Sequence, residues 1–230
     1  MHTPRPAGDL IAVVETLGRH LTPAPVPIEP LAMILWENIG YLVDDARRRT
    51  LFDAFEATVG VDAHAIAAAD DATLFPMAKR GGMRPETRVE RWRTIARIVI
   101  ERCDGDLDAT LRALPLAKAR TLLKTFPVIA DAGADKVLLF SGVAARPCLE
   151  SNGLRSLARL GFFQEGGAYG PDYRAGIEVL EATGRTDRDW LVDAHHLLRE
   201  LGKTWCKRGV PICLACPLDA ICAHAEVKTL

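Results

Sequence analysis

The 230-residue chain carries 29 Lys and Arg against 30 Asp and Glu, for a formal net charge of −1, and 49% of its residues are hydrophobic. That is the make-up of an ordinary soluble globular protein, long enough for one sizeable core or two small domains. It excludes a bilayer-spanning segment, since no apolar run is long enough, and a secretion signal, since MHTPRPAGDL lacks the charged-then-apolar layout, so a cytoplasmic protein is expected.

Residues Leu10 to Leu17 form a short apolar segment, and the prolines at 23, 25, 27 and 30 then mark a crossing between subdomains. Apolar residues at Leu31, Ile34, Leu35, Ile39 and Leu42 fall on one helical stripe, and Leu51, Phe52, Phe55 and Val59 on a second. The alanine-rich run from Ala63 to Met77 predicts a third helix, which Pro76 ends or kinks. Gly81 and Gly82 break the pattern, Pro85 suits a first helical turn, and Trp92, Ile95, Ala96, Val99 and Cys103 form the buried side of a longer helix. Short helices follow over Asp106–Leu114 and from Leu116 to about Thr125. Further helices are expected over Gly133–Gly142, Ser151–Leu160, Tyr173–Thr183 and Asp187–Gly202. No alternating stretch bounded by hairpin turns occurs, so the chain reads as all-α.

Charge is uneven despite the near-neutral total. Lys79 to Lys124 holds twelve Lys and Arg against six Asp and Glu, while Asp44, Asp45, Asp70 and Asp71 sit in the N-terminal third. Such a patch can follow a phosphate backbone, or it can be the solvated faces of ordinary helices.

Four of the six cysteines, Cys206, Cys213, Cys216 and Cys222, have six, two and five residues between them. Soft thiolates packed this closely can hold one zinc ion or one iron–sulfur cluster, and ligation alone admits both. A disulfide framework is the weaker reading for a cytosolic chain.

This spacing, behind a helix bearing His195 and His196, resembles the iron–sulfur loop of the endonuclease III branch of the HhH-GPD DNA glycosylases. The resemblance runs from about Leu31 to Cys222. It implies a 4Fe-4S cluster on the four cysteines, with Lys207 and Arg208 between the first two ligands meeting DNA phosphate. It also implies two helical subdomains with a DNA-binding cleft between them. One, over residues 30–146, would carry a helix-hairpin-helix; the other would join residues 1–29 to 147–230.

The stretch Phe126-Pro127-Val128-Ile129-Ala130 resembles the family's hairpin turn, normally Leu-Pro-Gly-x-Gly. On this likeness Pro127, Val128, Ile129, Ala130, Ala132 and Gly133 face DNA. Val128 and Ala130 replace glycines, and β-branched valine is unsuited to positive φ, so a turn of altered shape and weaker phosphate binding is expected. Ala132 stands where bifunctional members carry the lysine that attacks the sugar, which removes that route to strand cleavage. Lys136, one turn further on, is the only nearby substitute. Asp131 and Asp135 flank the hairpin and read as turn or surface residues.

Pro147-Cys148-Leu149-Glu150-Ser151-Asn152-Gly153-Leu154-Arg155 looks like the family's Val-Asp-Thr-His segment, so Glu150 matches the catalytic aspartate. A carboxylate there can stabilise an electron-poor sugar or activate water. The bland alternative is an acid placed at a helix N-terminus for its dipole. Asn38, or Tyr41 one turn away, matches the polar side chain that fills the gap of an extruded base, while Trp36 reads as core. His195 and His196 suit packing or hydrogen bonding near the cluster.

The expected activity is a monofunctional DNA glycosylase. It would act as a monomer, without a membrane, on double-stranded DNA containing a lesion or mismatch. A catalytically silent DNA- or lesion-binding protein on the same fold is the alternative, and redox sensing through the cysteine loop is a third reading.

Overall fold

The computed structural model describes residues 3–226. Over them the chain is helical, with no strand, and no helix is long and apolar enough to cross a membrane. The α-helices, in order, are α1 (Asp9–Gly18), α2 (Pro30–Asn38), α3 (Asp45–Thr58), α4 (Ala63–Ala68), α5 (Asp71–Arg80), α6 (Pro85–Cys103), α7 (Leu107–Ala113), α8 (Leu116–Leu123), α9 (Asp131–Phe140), α10 (Ser151–Arg159), α11 (Tyr169–Ala182), α12 (Arg188–Thr204) and α13 (Ala223–Glu226). They fall into two compact units, one of residues 26–144 and one joining residues 1–25 to 145–230.

Aspartates start many of these helices. Asp44, Asp62, Asp70, Asp106 and Asp187 each accept the backbone N–H three residues on, which occupies a donor that the first turn leaves free. Asp70 explains why the expected helix over Ala63–Met77 is two helices. Ala69 turns extended at ψ 134° and Asp70 caps α5 afresh. Pro76 does not end α5 but lies inside it. Helix α11 begins a turn earlier than expected, because Pro171 falls among the first residues, whose N–H groups have no helical partner anyway.

In the unit of residues 26–144, α6 is the axis, with α2, α4, α5 and α7 against it. Its core holds Trp92, Phe55, Phe140, Met33 and Ile95, each shielded from water, and Trp36 and Cys103 are buried as expected. In the other unit α12 packs along α10 and against α1, while Gly176 lets α11 close onto Leu149 and Leu154.

Candidate functional site

In the unit of residues 1–25 and 145–230, helix α12 positions the chemistry-bearing groups. It runs directly into Cys206 and lies along the N-terminal turn of α10, where Glu150 sits. Gly202 makes that contact possible: a Cβ there would stand 2.6 Å from the Asn152 carbonyl oxygen. Glu150 is the N-cap of α10. Its Oε1 accepts the N–H groups of Asn152 and Gly153 at 2.8 and 2.9 Å, and its Oε2 accepts Asn152 Nδ2 at 2.9 Å. The carboxylate is half-buried, and three of its roughly four acceptor directions are taken.

Further bonds tie this turn to the cysteine loop. Asn152 Oδ1 accepts from Arg155 Nη2 at 2.9 Å, which also donates to the Gly202 carbonyl at 2.8 Å, while Arg155 Nε donates to the Cys206 carbonyl at 3.0 Å. Burial pushes the Arg155 guanidinium down, and the Cys206 thiol opposes this. On the other side His195, buried in α12, holds Nδ1 at 3.1 Å from the Cys148 carbonyl and 3.2 Å from the Cys148 Sγ. The histidine expected beside the cluster thus serves the extended segment leading into Glu150.

Cys206, Cys213, Cys216 and Cys222 line one cavity with Leu160, Leu201 and Trp205. All four are half-buried. Burial pushes the Cys216 thiol up, and proximity to Cys222, Cys206 and Cys213 pushes it further. Among the described residues no three His, Cys, Asp or Glu side chains close on a single ion. The donor set is all thiol and shares one cavity, so it fits a thiolate-held cluster. Lys207 and Arg208 lie on the exposed outer edge of this loop.

In the unit of residues 26–144 the helical hairpin is formed by α8 and α9. Phe126 and Ile129 bury, and Val128 between them is 56% exposed. Valine does take the left-handed conformation, at φ 69°, contrary to expectation. Its buried neighbours and the Ile129 N–H to Phe126 O bond of 3.2 Å hold the turn, which outweighs a local cost of roughly 1–2 kcal/mol. Ala130, the other glycine substitute, is extended, and as N-cap of α9 it makes no side-chain bond to the first turn. Ala132 and Gly133 follow in that turn, half-exposed.

Asn38 does not stand free to enter DNA. It is 4% exposed, and its Nδ2 donates to the carbonyls of Ile34 at 2.9 Å and Pro127 at 3.0 Å, so it braces the hairpin turn from α2. Tyr41 is exposed, and beside it are Met83 and Leu42, the latter expected on the buried stripe of a helix that instead ends at Asn38. Leu42 is 82% exposed at φ 54°, and the Tyr41 N–H donates to the Gly81 carbonyl at 3.0 Å, so the two apolar-tipped loops are joined. Asp135 is fully buried rather than at the surface, and Arg120 binds both its oxygens, at 2.7 and 3.2 Å. Asp131 remains outside, paired with Lys124 and Arg120. Lys136 is committed to Glu37 at 2.7 Å.

A further residue outside the motif is Tyr169, at the start of α11. Half-exposed, it lies parallel to Tyr173, and its phenol is pushed up by burial and then by Glu150 and Cys148. Only the Tyr-x-x-x-Tyr spacing hints at it in the sequence.

No protein-family model and no curated protein sequence matches the chain. Solved structures do. A non-covalent endonuclease III–DNA complex aligns over 97% of this chain and 98% of its own, at TM-score 0.76 and 15% identity. A thermostable thymine-DNA glycosylase aligns over 95% and 97%, at TM-score 0.75 and 14% identity. A trapped endonuclease III–DNA covalent intermediate aligns over 97% and 99%, at TM-score 0.75 and 14% identity. Over 95–97% of its length the chain has the all-helical fold of these DNA glycosylases.

Proposed function

We propose that the chain is a monofunctional DNA glycosylase that hydrolyses the N-glycosidic bond of a damaged or mispaired base extruded from duplex DNA. The observation that carries this reading is Glu150, a half-exposed carboxylate fixed at the N-terminus of α10 in a chain that shares the endonuclease III fold over 97% of its length. Cleavage of the bond leaves positive character on the sugar, which a preorganised anion stabilises without rearranging. With one acceptor direction left, Glu150 serves chiefly as that anion and secondarily as the acceptor for an attacking water.

Ala132 supplies no amine, and Lys136 is held by Glu37. Water is then the nucleophile, and the product is an intact strand with an abasic site. The uncapped first turn of α9 and exposed Lys207 and Arg208 would take phosphate, while Tyr41, Leu42 and Met83 offer an apolar wedge for the gap left by the base. Cys206, Cys213, Cys216 and Cys222 would hold a 4Fe-4S cluster, which when bound cross-links the loop that carries the two cations. Protein prepared without oxygen should be yellow-brown and contain about four irons per chain; stoichiometric zinc without iron would refute this part.

A panel of lesion duplexes tests the activity. Base release should leave abasic strands that break only after alkali, and borohydride should trap no adduct. Glu150→Gln keeps an oxygen for the Asn152 and Gly153 N–H groups and loses the charge. It should therefore lower base release by at least about a hundredfold while lesion binding changes little. A trapped adduct would overturn the hydrolytic route. Tight binding with no base released from any lesion would favour a DNA-binding protein, the reading that the heavily occupied carboxylate also suits.

A further inference from the structure

We propose that Arg159 is the residue that shapes the cysteine loop into a phosphate-binding surface, by gripping the inner side of the Cys206–Arg208 segment so that Lys207 and Arg208 face outward. The proposal deepens the DNA-binding part of the reading above and rests on it. Arg159 ends α10. Its Nη1 donates to the Lys207 carbonyl at 2.8 Å and lies 3.6 Å from the Cys206 Sγ, and its Nη2 reaches the Arg208 carbonyl at 3.4 Å. Its own carbonyl oxygen lies 3.5 Å from the Cys222 Sγ. One residue thus touches the first and last cysteines of the loop and the backbone of both basic residues.

Three features make this more than an anchor. The loop is closed at its base by the Trp205 carbonyl, which accepts from Lys207 N at 2.9 Å and Ile212 N at 2.8 Å, so its exposed tip between them has few other fastenings. No residue from Trp205 to Cys222 takes a left-handed backbone, so the tip's shape comes from such polar ties rather than from turn chemistry. And Arg159 forms no ion pair with a carboxylate among the described residues. The guanidinium meets the two carbonyls from two nitrogens held in a fixed planar fork, where a lysine would offer a single rotatable nitrogen.

The experiment measures binding of the full chain to a fluorescent duplex containing an abasic site, across a range of salt. The variants are Lys207→Ala/Arg208→Ala, Arg159→Ala, Arg159→Lys, and the triple alanine variant, with iron content recorded for each. Two lost phosphate contacts should lower the slope of log affinity against log salt by about 2 in the double variant. Arg159→Ala should lower it similarly, and the triple variant should bind no worse than the double. Arg159→Lys keeps the charge beside Cys206, so it should retain wild-type iron yet bind like Arg159→Ala. Wild-type binding by Arg159→Ala, additive loss in the triple variant, or full rescue by Arg159→Lys would each overturn the proposal. If Arg159→Ala does not yield folded protein, Arg159→Lys decides: a wild-type slope refutes, a lowered slope supports. An unchanged slope in the Lys207/Arg208 variant is a different failure, since it removes the loop from DNA contact and the role of Arg159 with it.

Discussion

Two loops in this protein are held by an arginine that donates to carbonyls, and they are built on opposite plans. In the unit of residues 26–144, Arg88 of α6 is 4% exposed and donates to the carbonyls of Ala78 at 2.6 Å, Gly82 at 3.5 Å and Met83 at 3.1 Å. Burial pushes its guanidinium down. Around it the backbone is forced: Gly82 at φ 97° and Arg84 at φ 57° are left-handed, and a Cβ on Gly81 would stand 2.5 Å from the Ile39 carbonyl oxygen. The cysteine loop under Arg159 has no such residue, and its guanidinium is partly open to water. The first loop is shaped by close packing that leaves little room for alternatives. The second relies on side-chain hydrogen bonds and on whatever its thiols hold. Strain stored near a site needs surroundings that over-determine it, and only the first loop has them.

Removing Arg88 should break the first loop outright. Arg88→Met leaves three carbonyls without their donor and should cost about 3 kcal/mol or more. Denaturant unfolding followed through Trp36 and Trp92, both in that unit, would read it; a loss below 1 kcal/mol (about fivefold in the folded ratio) would mean water replaces the guanidinium freely. Gly202→Ala tests the other unit without removing a polar group. The added Cβ meets the Asn152 backbone, so α12 and α10 should separate at a cost of about 2 kcal/mol. Base release should fall more than DNA binding, because Asn152 carries Glu150 Oε2; equal loss of both would argue for general unfolding.

Asn38→Ala sharpens the same contrast at the hairpin. Losing the bond to the Pro127 carbonyl should cost about 1 kcal/mol and weaken duplex binding while leaving its salt slope intact. A duplex with an abasic gap bound as by wild type would show that the brace has no bearing on the turn. The smallest effect expected is a gain. Val128→Gly relieves the left-handed valine, offset in part by the freedom glycine has when unfolded, for a net stabilisation of about 0.5 kcal/mol. Calorimetry showing a clear loss instead would mean the exposed valine methyls contribute to packing.

The sequence by itself determined the helical class, most helix positions and the four-cysteine loop. Apolar spacing and aspartate caps are local signals, and the cysteine spacing is read directly off the chain. It also placed Glu150 at a helix start, since an acid just before Ser151 is a one-turn property. Tertiary structure alone decided the rest. Ala69 and Asp70 split a helix whose composition is uniformly favourable, because a cap competes with continuation over a margin of about 1 kcal/mol. Val128 became left-handed because Phe126 and Ile129 bury on either side of it, and local propensity cannot weigh that burial. Asn38 turned inward because a carbonyl 89 positions along the chain lay within reach of its amide. Asp135 was buried because Arg120, on the neighbouring helix, could neutralise it. Leu42, Met83, Tyr169 and Arg159 carry no motif: each owes its place to which loops the folded backbone brings together, a long-range property that no window of the sequence contains.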